Sequence, residues 1–127
     1  MDAARIDFDS LLPEGAEHVR SLLYEAPCDD LPRDPSVTVS VYVGVHAPLS
    51  RTAWHFHNGT SFFAVLQGRI EVEFEDETLT HVAGEVYSEP VGKVHRAHNP
   101  DPDLNFVCLG FNVTPPGREL VTTVAEP

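Results

Sequence analysis

Cysteine and basic residues are scarce in this sequence, and each scarcity excludes a class of protein. The chain has 127 residues and only two cysteines, Cys28 and Cys108. Two distant cysteines cannot form a disulfide framework or a zinc knuckle, so we expect a protein of a reducing compartment. Eight basic residues against twenty acidic ones give a formal charge of -12. So acidic a chain repels anionic polymers, and we expect no nucleic-acid partner.

Long apolar runs are also missing. No stretch reaches the length of a membrane span, and Asp2, Asp7 and Asp9 interrupt the segment where a signal peptide would be basic and then apolar. We therefore expect a cytoplasmic protein with no membrane partner. Hydrophobic residues make up 42% of the chain and charged residues 22%, a balance typical of a globular fold. The length suits a single domain.

What the sequence does contain is β-strand patterning from residue 37 onward. Valine alternates with smaller or polar residues over 37–45, which favours a strand with one face in the core. An apolar run over 61–67 ends at Gly68, and apolar and charged residues then alternate over 69–75, which predicts two strands joined at a glycine turn. Further strands are predicted over 78–82, 85–89 and 104–113. Many short strands between turn signals predict an all-β, antiparallel barrel.

The barrel is predicted to occupy residues 37–113. Prolines interrupt residues 1–36, which predicts an N-terminal arm consisting of a short helix or strand followed by a loop. Residues 114–127 contain Pro115, Pro116 and Gly117 and are predicted to form an extended tail.

Two histidine-containing segments carry the clearest chemical signal. His55 and His57 stand at i and i+2, which places both imidazoles on one face of a strand. A third imidazole, His95, follows a turn segment that contains Pro90 and Gly92. Three imidazoles suit one divalent transition metal per chain, with Fe, Ni, Zn, Co, Cu and Mn as candidates. A pair of histidines alone also occurs on exposed strands, so the assignment depends on the second segment.

These residues resemble the two motifs of the cupin superfamily, commonly written G-x5-H-x-H-x3/4-E-x6-G and G-x5-P-x-G-x2-H-x3-N. The second motif is matched at every defined position, by Gly84, Pro90, Gly92, His95 and Asn99. The first is matched by His55, His57 and Gly68. The resemblance covers residues 37–112. It implies a double-stranded β-helix, the jelly-roll barrel of cupins, with a metal near its middle and usually a homodimer.

Two positions depart from the first motif. Leu49 replaces the leading glycine, a minor change in a turn, and Ser61 replaces the glutamate. The resemblance then implies a site of three imidazoles without a carboxylate, with a coordination position open to water or substrate. Ser61 is expected either to fill space or to support a bound water.

A further set of residues is expected beside the metal or in its pocket. The set comprises Tyr42, Arg51, Ser61, Phe63, Val65, Tyr87 and His98. Phe63 and Val65 share a strand face with Ser61, which favours a pocket wall or plain core. His98 follows His95 by three residues and would point to the opposite face of a strand, so a surface role competes with a role in the pocket.

The sequence supports two main hypotheses of function. The first is a metal-dependent, dioxygenase-like enzyme acting on a small organic substrate, with isomerase, lyase and hydrolase chemistry as alternatives. The second is a non-catalytic cupin that binds a small ligand as a sensor or binding module, and a metal-free barrel is a third possibility. An open metal site favours the enzyme, whereas the motifs contain no recognisable acid-base pair. We also expect a homodimer, because Phe62, Ala64 and Leu66 form an outward apolar row.

Overall fold

The computed structural model describes residues 7–27 and 37–127. Within these ranges the protein is all-β apart from a 3₁₀ helix at Asp9–Leu11. The strands are β1 (His18–Pro27), β2 (Thr38–His46), β3 (His55–His57), β4 (Thr60–Gln67), β5 (Arg69–Phe74), β6 (Thr78–Val82), β7 (Val86–Glu89), β8 (His95–His98), β9 (Phe106–Thr114) and β10 (Val121–Thr123). Their pairings are antiparallel, which confirms the predicted fold class.

The strands form two five-stranded sheets that make the double-stranded β-helix. One sheet has the order β1-β2-β9-β4-β7 and the other the order β10-β3-β8-β5-β6. Although β4 and β5 are consecutive, they lie in different sheets and are separated by Gly68 alone. Gly68 has a φ of 75°, a conformation that glycine adopts without steric cost. The predicted glycine turn is therefore the point where the chain changes sheets.

The interior of the barrel is apolar where the two sheets meet. The buried cluster there contains Tyr42, Phe63, Val65, Ile70, Val72, Phe74, Phe106 and Cys108. These residues come from β2, β4, β5 and β9, so both sheets contribute to it. The same alternation that places apolar residues inside also aims polar residues of neighbouring strands into the barrel.

Strand β2 is buried on both faces, whereas the sequence predicted one core face. Val43 and Val45 pack on the outer side of their sheet, under a segment that includes Phe8, Leu11 and Leu12. Tyr42 belongs to the interior cluster instead. The valine alternation therefore predicted the strand but not which of its faces points into the barrel. The inward face of β2 lines a polar cavity, and the valines lie on the outer face.

The segments outside the predicted barrel contribute an edge strand to each sheet. Of the arm predicted for residues 1–36, residues 7–27 are described, and Cys28 lies outside the described residues. Strand β1 pairs with β2, and β10, from the predicted tail, pairs with β3. Across the described ranges, no helix has the length and hydropathy needed to cross a bilayer.

Candidate metal centre

Four side chains from three strands converge inside the barrel. His55 and His57 extend from the same face of β3, His95 opens β8, and Glu89 ends β7. One potential ligand atom from each residue lies within 4.8 Å of the corresponding atoms of the other three. His57, Glu89 and His95 are buried, and His55 is half-buried. The three predicted imidazoles therefore lie together, and a carboxylate joins them.

The carboxylate of Glu89 comes from the opposite sheet. Strand β7 pairs with β4, and Glu89 is the Cα partner of Ser61 in that pairing. Directly opposed residues in an antiparallel pair point to the same face, so Ser61 and Glu89 both face the interior. Ser61 is fully buried, and its hydroxyl donates to the carbonyl of Gly59 at 3.3 Å. The small serine leaves room for the glutamate on the neighbouring strand.

The structure thus places a carboxylate beside the imidazoles, where the resemblance implied none. Glu89, the residue before Pro90, supplies the acidic side chain. It lies directly across the β4–β7 ladder from Ser61, which occupies the motif's glutamate position. One signal could have found it: Glu89 is an acidic residue on the predicted strand 85–89, on the same face as Tyr87. Only the pairing of β4 with β7 shows that this acid stands opposite Ser61.

Backbone carbonyls set the orientation of two of the imidazoles. Nδ1 of His55 lies 2.7 Å from the carbonyl oxygen of Ala53, and Nδ1 of His95 lies 2.8 Å from that of Lys93. A carbonyl can only accept, so in the neutral imidazole Nδ1 carries the proton and Nε2 presents a lone pair. This arrangement is typical of metal-ligating histidines.

The closest contacts in the cluster lack hydrogen-bond geometry. Oε2 of Glu89 lies 2.6 Å from Nε2 of His57 and 2.5 Å from Nε2 of His95. Both Glu89 Oε2 and His95 Nε2 are nevertheless buried without a hydrogen-bond partner among the described residues. Leaving such atoms unsatisfied costs about 1–3 kcal/mol each. A cation bound to both atoms would satisfy them, so the donor set fits a metal.

Electrostatics keep His55 and Glu89 in the forms that bind metals. Burial lowers the pKa of His55 to about 4, so its imidazole is neutral at physiological pH. Burial alone would raise the pKa of Glu89, but contacts with His57 and His95 outweigh burial and lower this pKa to about 2. Burial would lower the pKa of His95, but the Glu89 carboxylate raises it. A metal would compete with a proton for this imidazole.

The Cupin_2 family model, described as a cupin domain, matches residues 43–110, just over half of the chain. The chain belongs to the Cupin_2 family. No curated protein matches it.

Several solved structures resemble this cupin over most of its length. A conserved protein with a double-stranded beta-helix domain from Klebsiella pneumoniae is 21% identical, with a TM-score of 0.71, and the match covers 98% of this chain and 100% of that one. A cupin superfamily protein from Desulfitobacterium hafniense is 17% identical, with a TM-score of 0.65 and coverage of 90% and 94%. The cupin domain of an XRE family transcriptional regulator from Enterobacter cloacae is 18% identical, with a TM-score of 0.58 and coverage of 79% and 99%. At these identities the likeness shows the fold alone.

The cupin motif residues around His95 hold the site together. Gly92 has a φ of 76°, and its N–H donates to the carbonyl of His57 at 3.0 Å, which ties the loop before His95 to strand β3. Asn99 is fully buried, and its Nδ2 lies within 3.1 Å of the carbonyls of His46, Ala47 and Leu104. These contacts fix the two ends of the segment that carries His95.

Leu49, in place of the first motif's glycine, is not a minor change. Its φ is 61°, and no other non-glycine residue in the described ranges has a positive φ. An L-residue in this conformation costs roughly 1–2 kcal/mol. The backbone therefore keeps the conformation that a glycine would favour although the side chain opposes it.

A cavity of about 460 Å³ opens beside the cluster. Four of the predicted pocket residues line it, namely Tyr42, Arg51, Phe63 and Tyr87, together with His55, His57 and Glu89.

Ser61, Val65 and His98, the other predicted pocket residues, are not among the residues that line the cavity. Val65 belongs to the apolar core, and Nδ1 of His98 lies 3.2 Å from the Glu71 carboxylate, away from the cluster. His98 therefore lies outside the pocket, as its alternative interpretation predicted. Arg20, His18 and His46, which were not predicted as pocket residues, also line the cavity.

Proposed function

We propose that this cupin is a metal-dependent enzyme that acts on a small organic substrate, with His55, His57, Glu89 and His95 as ligands of one divalent transition metal. The convergence of their four ligand atoms within 4.8 Å beside a cavity carries the proposal. Three imidazoles and one carboxylate suit Fe(II), Mn(II), Co(II), Ni(II) and Zn(II), and availability selects among them. Cu(II) favours a tetragonal arrangement and fits this donor set less well.

A metal held there would supply Lewis-acid or oxygen-activating chemistry. The chain's own residues do the rest. His55 and His95 are held by carbonyl acceptors with Nε2 directed at the cluster, and Glu89 supplies one negative charge. Phe63, Ile70 and Phe106 line the cavity and exclude water from part of it, which strengthens electrostatic interactions with a bound substrate.

Oxygen-dependent chemistry is the first reaction to test, and a ligand-binding role is the alternative. Of the two phenols that line the cavity, Tyr42 is buried and Tyr87 half-buried, and Glu17, the lining acid outside the metal cluster, is exposed. A cupin barrel occurs as a domain of a transcriptional regulator among the similar structures, so the fold itself is compatible with binding without turnover.

Oxygen uptake separates these two functions. Protein loaded anaerobically with Fe(II) is mixed with members of a panel of small organic acids, thiols and diketones, and oxygen consumption and products are measured. We expect substrate-dependent oxygen uptake in the wild type and none in His95→Ala. Ligands that change the spectrum of a Co(II)-loaded protein, without uptake or any product, would support the binding module and contradict the oxygenase.

We also propose a homodimer formed through the exposed half of the β1-β2-β9-β4-β7 sheet. Phe62 and Leu66 are each 44% exposed on β4, and Phe111 on β9 is 39% exposed with its ring centroid 6.4 Å from that of Phe62. A contiguous apolar patch of this kind marks an interface more often than free surface. The other half of the face is already covered by the segment containing Phe8, which leaves this half for a second copy.

Light scattering at micromolar concentration tests the dimer. The wild type should have the mass of two chains, and Phe62→Glu should have the mass of one, because burying an unpaired carboxylate in the interface opposes association. Leu104→Glu is the control, since Leu104 is 41% exposed in a loop outside the patch. A monomeric wild type, or equal masses for Phe62→Glu and wild type, would contradict the proposed interface.

A further inference from the structure

The cavity contains a group of polar residues that the metal cluster does not use. Tyr42 and His46 extend from β2 into the cavity, and Arg20 reaches it from β1. The guanidinium carbon of Arg20 lies 4.8 Å from the centre of the Tyr42 ring. Tyr42 is 2% exposed and His46 is 8% exposed. These three residues form an inner polar group.

Two atoms of this group lack partners. The Tyr42 hydroxyl and Nδ1 of His46 are buried and make no hydrogen bond within the described part of the chain. Arg20 forms no ion pair with the described residues either. Buried polar groups are normally paired, and a charged one almost always is. The unpaired Tyr42 hydroxyl, beside a half-buried guanidinium that lies over the same ring, therefore indicates a ligand that accepts hydrogen bonds.

Local backbone features create the space in which the inner polar group lies. Arg20 is the Cα partner of Gly44, so the arginine lies on the same sheet face as Tyr42 and His46, across from a residue without a side chain. A Cβ atom at Gly44 would lie 3.0 Å from Sγ of Cys108. A Cβ atom at Gly110 would lie 2.3 Å from the Tyr42 ring, so this glycine lets the ring lie flat on β9. The two glycines position the group and keep the cavity open.

The cavity is lined by two arginines that can bind an anion. Two of the eight basic residues of this acidic chain, Arg20 and Arg51, line the cavity. The acidic lining residues are Glu17, which is exposed, and Glu89, which belongs to the metal cluster. Burial raises the pKa of Tyr42 well above its ordinary value, so the phenol keeps its proton and can donate. Burial lowers the pKa of His46 to about 3, so Arg20 is the charged member of the group at physiological pH.

We propose that Arg20, Tyr42 and His46 form an anion-binding subsite that takes the carboxylate of a small organic acid. Arg20 supplies the charge and N–H donors, Tyr42 donates its hydroxyl proton, and apolar side chains such as Ile70 and Phe106 contact the body of the acid. As a statement about substrate recognition, this inference rests on the proposed metal-dependent function. Anion binding itself is measurable without any metal.

Fluorine NMR on the metal-free protein tests the subsite with two matched probes, 4-fluorobenzoate and the neutral 4-fluorobenzamide. We expect the benzoate to bind at least about tenfold more tightly than the amide, because hydrogen bonds to a charged group exceed neutral ones by about that factor. Arg20→Met should weaken benzoate binding by about tenfold or more and leave amide binding nearly unchanged. Arg69→Met, an exposed arginine outside the cavity, is the control and should bind both probes like the wild type.

Tyr42→Phe provides a second test that keeps the ring and removes only the hydroxyl. It should weaken benzoate binding several-fold, and it carries the test alone if circular dichroism shows that Arg20→Met does not fold. Equal affinity for the two probes, or unchanged benzoate affinity in a folded Arg20→Met, would overturn the subsite. If the wild type binds benzoate through Arg20 but takes up no metal, the subsite is supported and the proposed enzyme is contradicted. Zinc content of Arg20→Met should equal that of the wild type.

Discussion

Replacing His95 with alanine is expected to remove the metal, whereas replacing His98 is not. His95 is fully buried, and its Nε2 belongs to the cluster. His98 lies on the same strand but contacts Glu71 instead. Loss of an outer-shell partner alone costs about 10–100-fold in metal affinity, so loss of a ligand should cost more than about 100-fold. Elemental analysis after equilibration with Zn(II) and gel filtration makes the measurement.

The matched variant makes this result specific. His98→Ala removes an imidazole from the same four-residue strand without touching the cluster, so its metal content should equal that of the wild type. Unchanged metal content in His95→Ala would mean that the metal is held elsewhere. Equal loss of metal in both variants would mean that strand β8 needs its side chains to fold.

The carboxylate of Glu89 is expected to contribute strongly to metal affinity. Glu89→Ser is expected to lower metal affinity by at least about tenfold, because it removes the one anionic ligand from the cluster. Adding Ser61→Glu to that variant exchanges the two residues across the β4–β7 ladder. Since both positions face the interior, the exchanged chain should recover much of the lost affinity. Competition with a chelating dye gives the affinities.

Two comparisons control this exchange. Glu75→Ser removes an exposed carboxylate that does not belong to the cluster and should bind metal like the wild type. Ser61→Glu alone places a second carboxylate beside Glu89 in a buried site, where the repulsion of like charges should destabilise the metal-free fold. Wild-type affinity in Glu89→Ser would mean that three imidazoles suffice, as the motif alone had predicted.

Sequence periodicity predicted β2, β4, β5, β6, β7 and β9, because these strands carry an apolar run or an alternation along the chain. The run before Gly68 and the alternation after it became β4 and β5. The His-x-His spacing and the turn before His95 likewise predicted three imidazoles that the fold brings together. These features depend on residues that are close together in the sequence, and a motif records such residues.

Glu89, Arg20 and the inward face of β2 depend instead on which strands pair. Glu89 replaces the motif's acidic residue only because β7 pairs with β4 in the register that opposes it to Ser61. Arg20 reaches the cavity only because β1 aligns it with Gly44. Alternation showed that β2 has two faces, but the arm that covers one of them is distant in the sequence. Long-range pairing leaves no trace in local spacing, so these residues were missed.

Anomalous X-ray diffraction from metal-loaded crystals, recorded above and below the absorption edge of zinc, tests the four-residue metal centre. We expect one anomalous peak per chain inside the barrel, about 2.0–2.2 Å from Nε2 of His55, His57 and His95 and from a carboxylate oxygen of Glu89. A peak coordinated by the imidazoles with Glu89 turned away would contradict the four-residue centre. No peak at the cluster in crystals that contain zinc would contradict the metal site altogether.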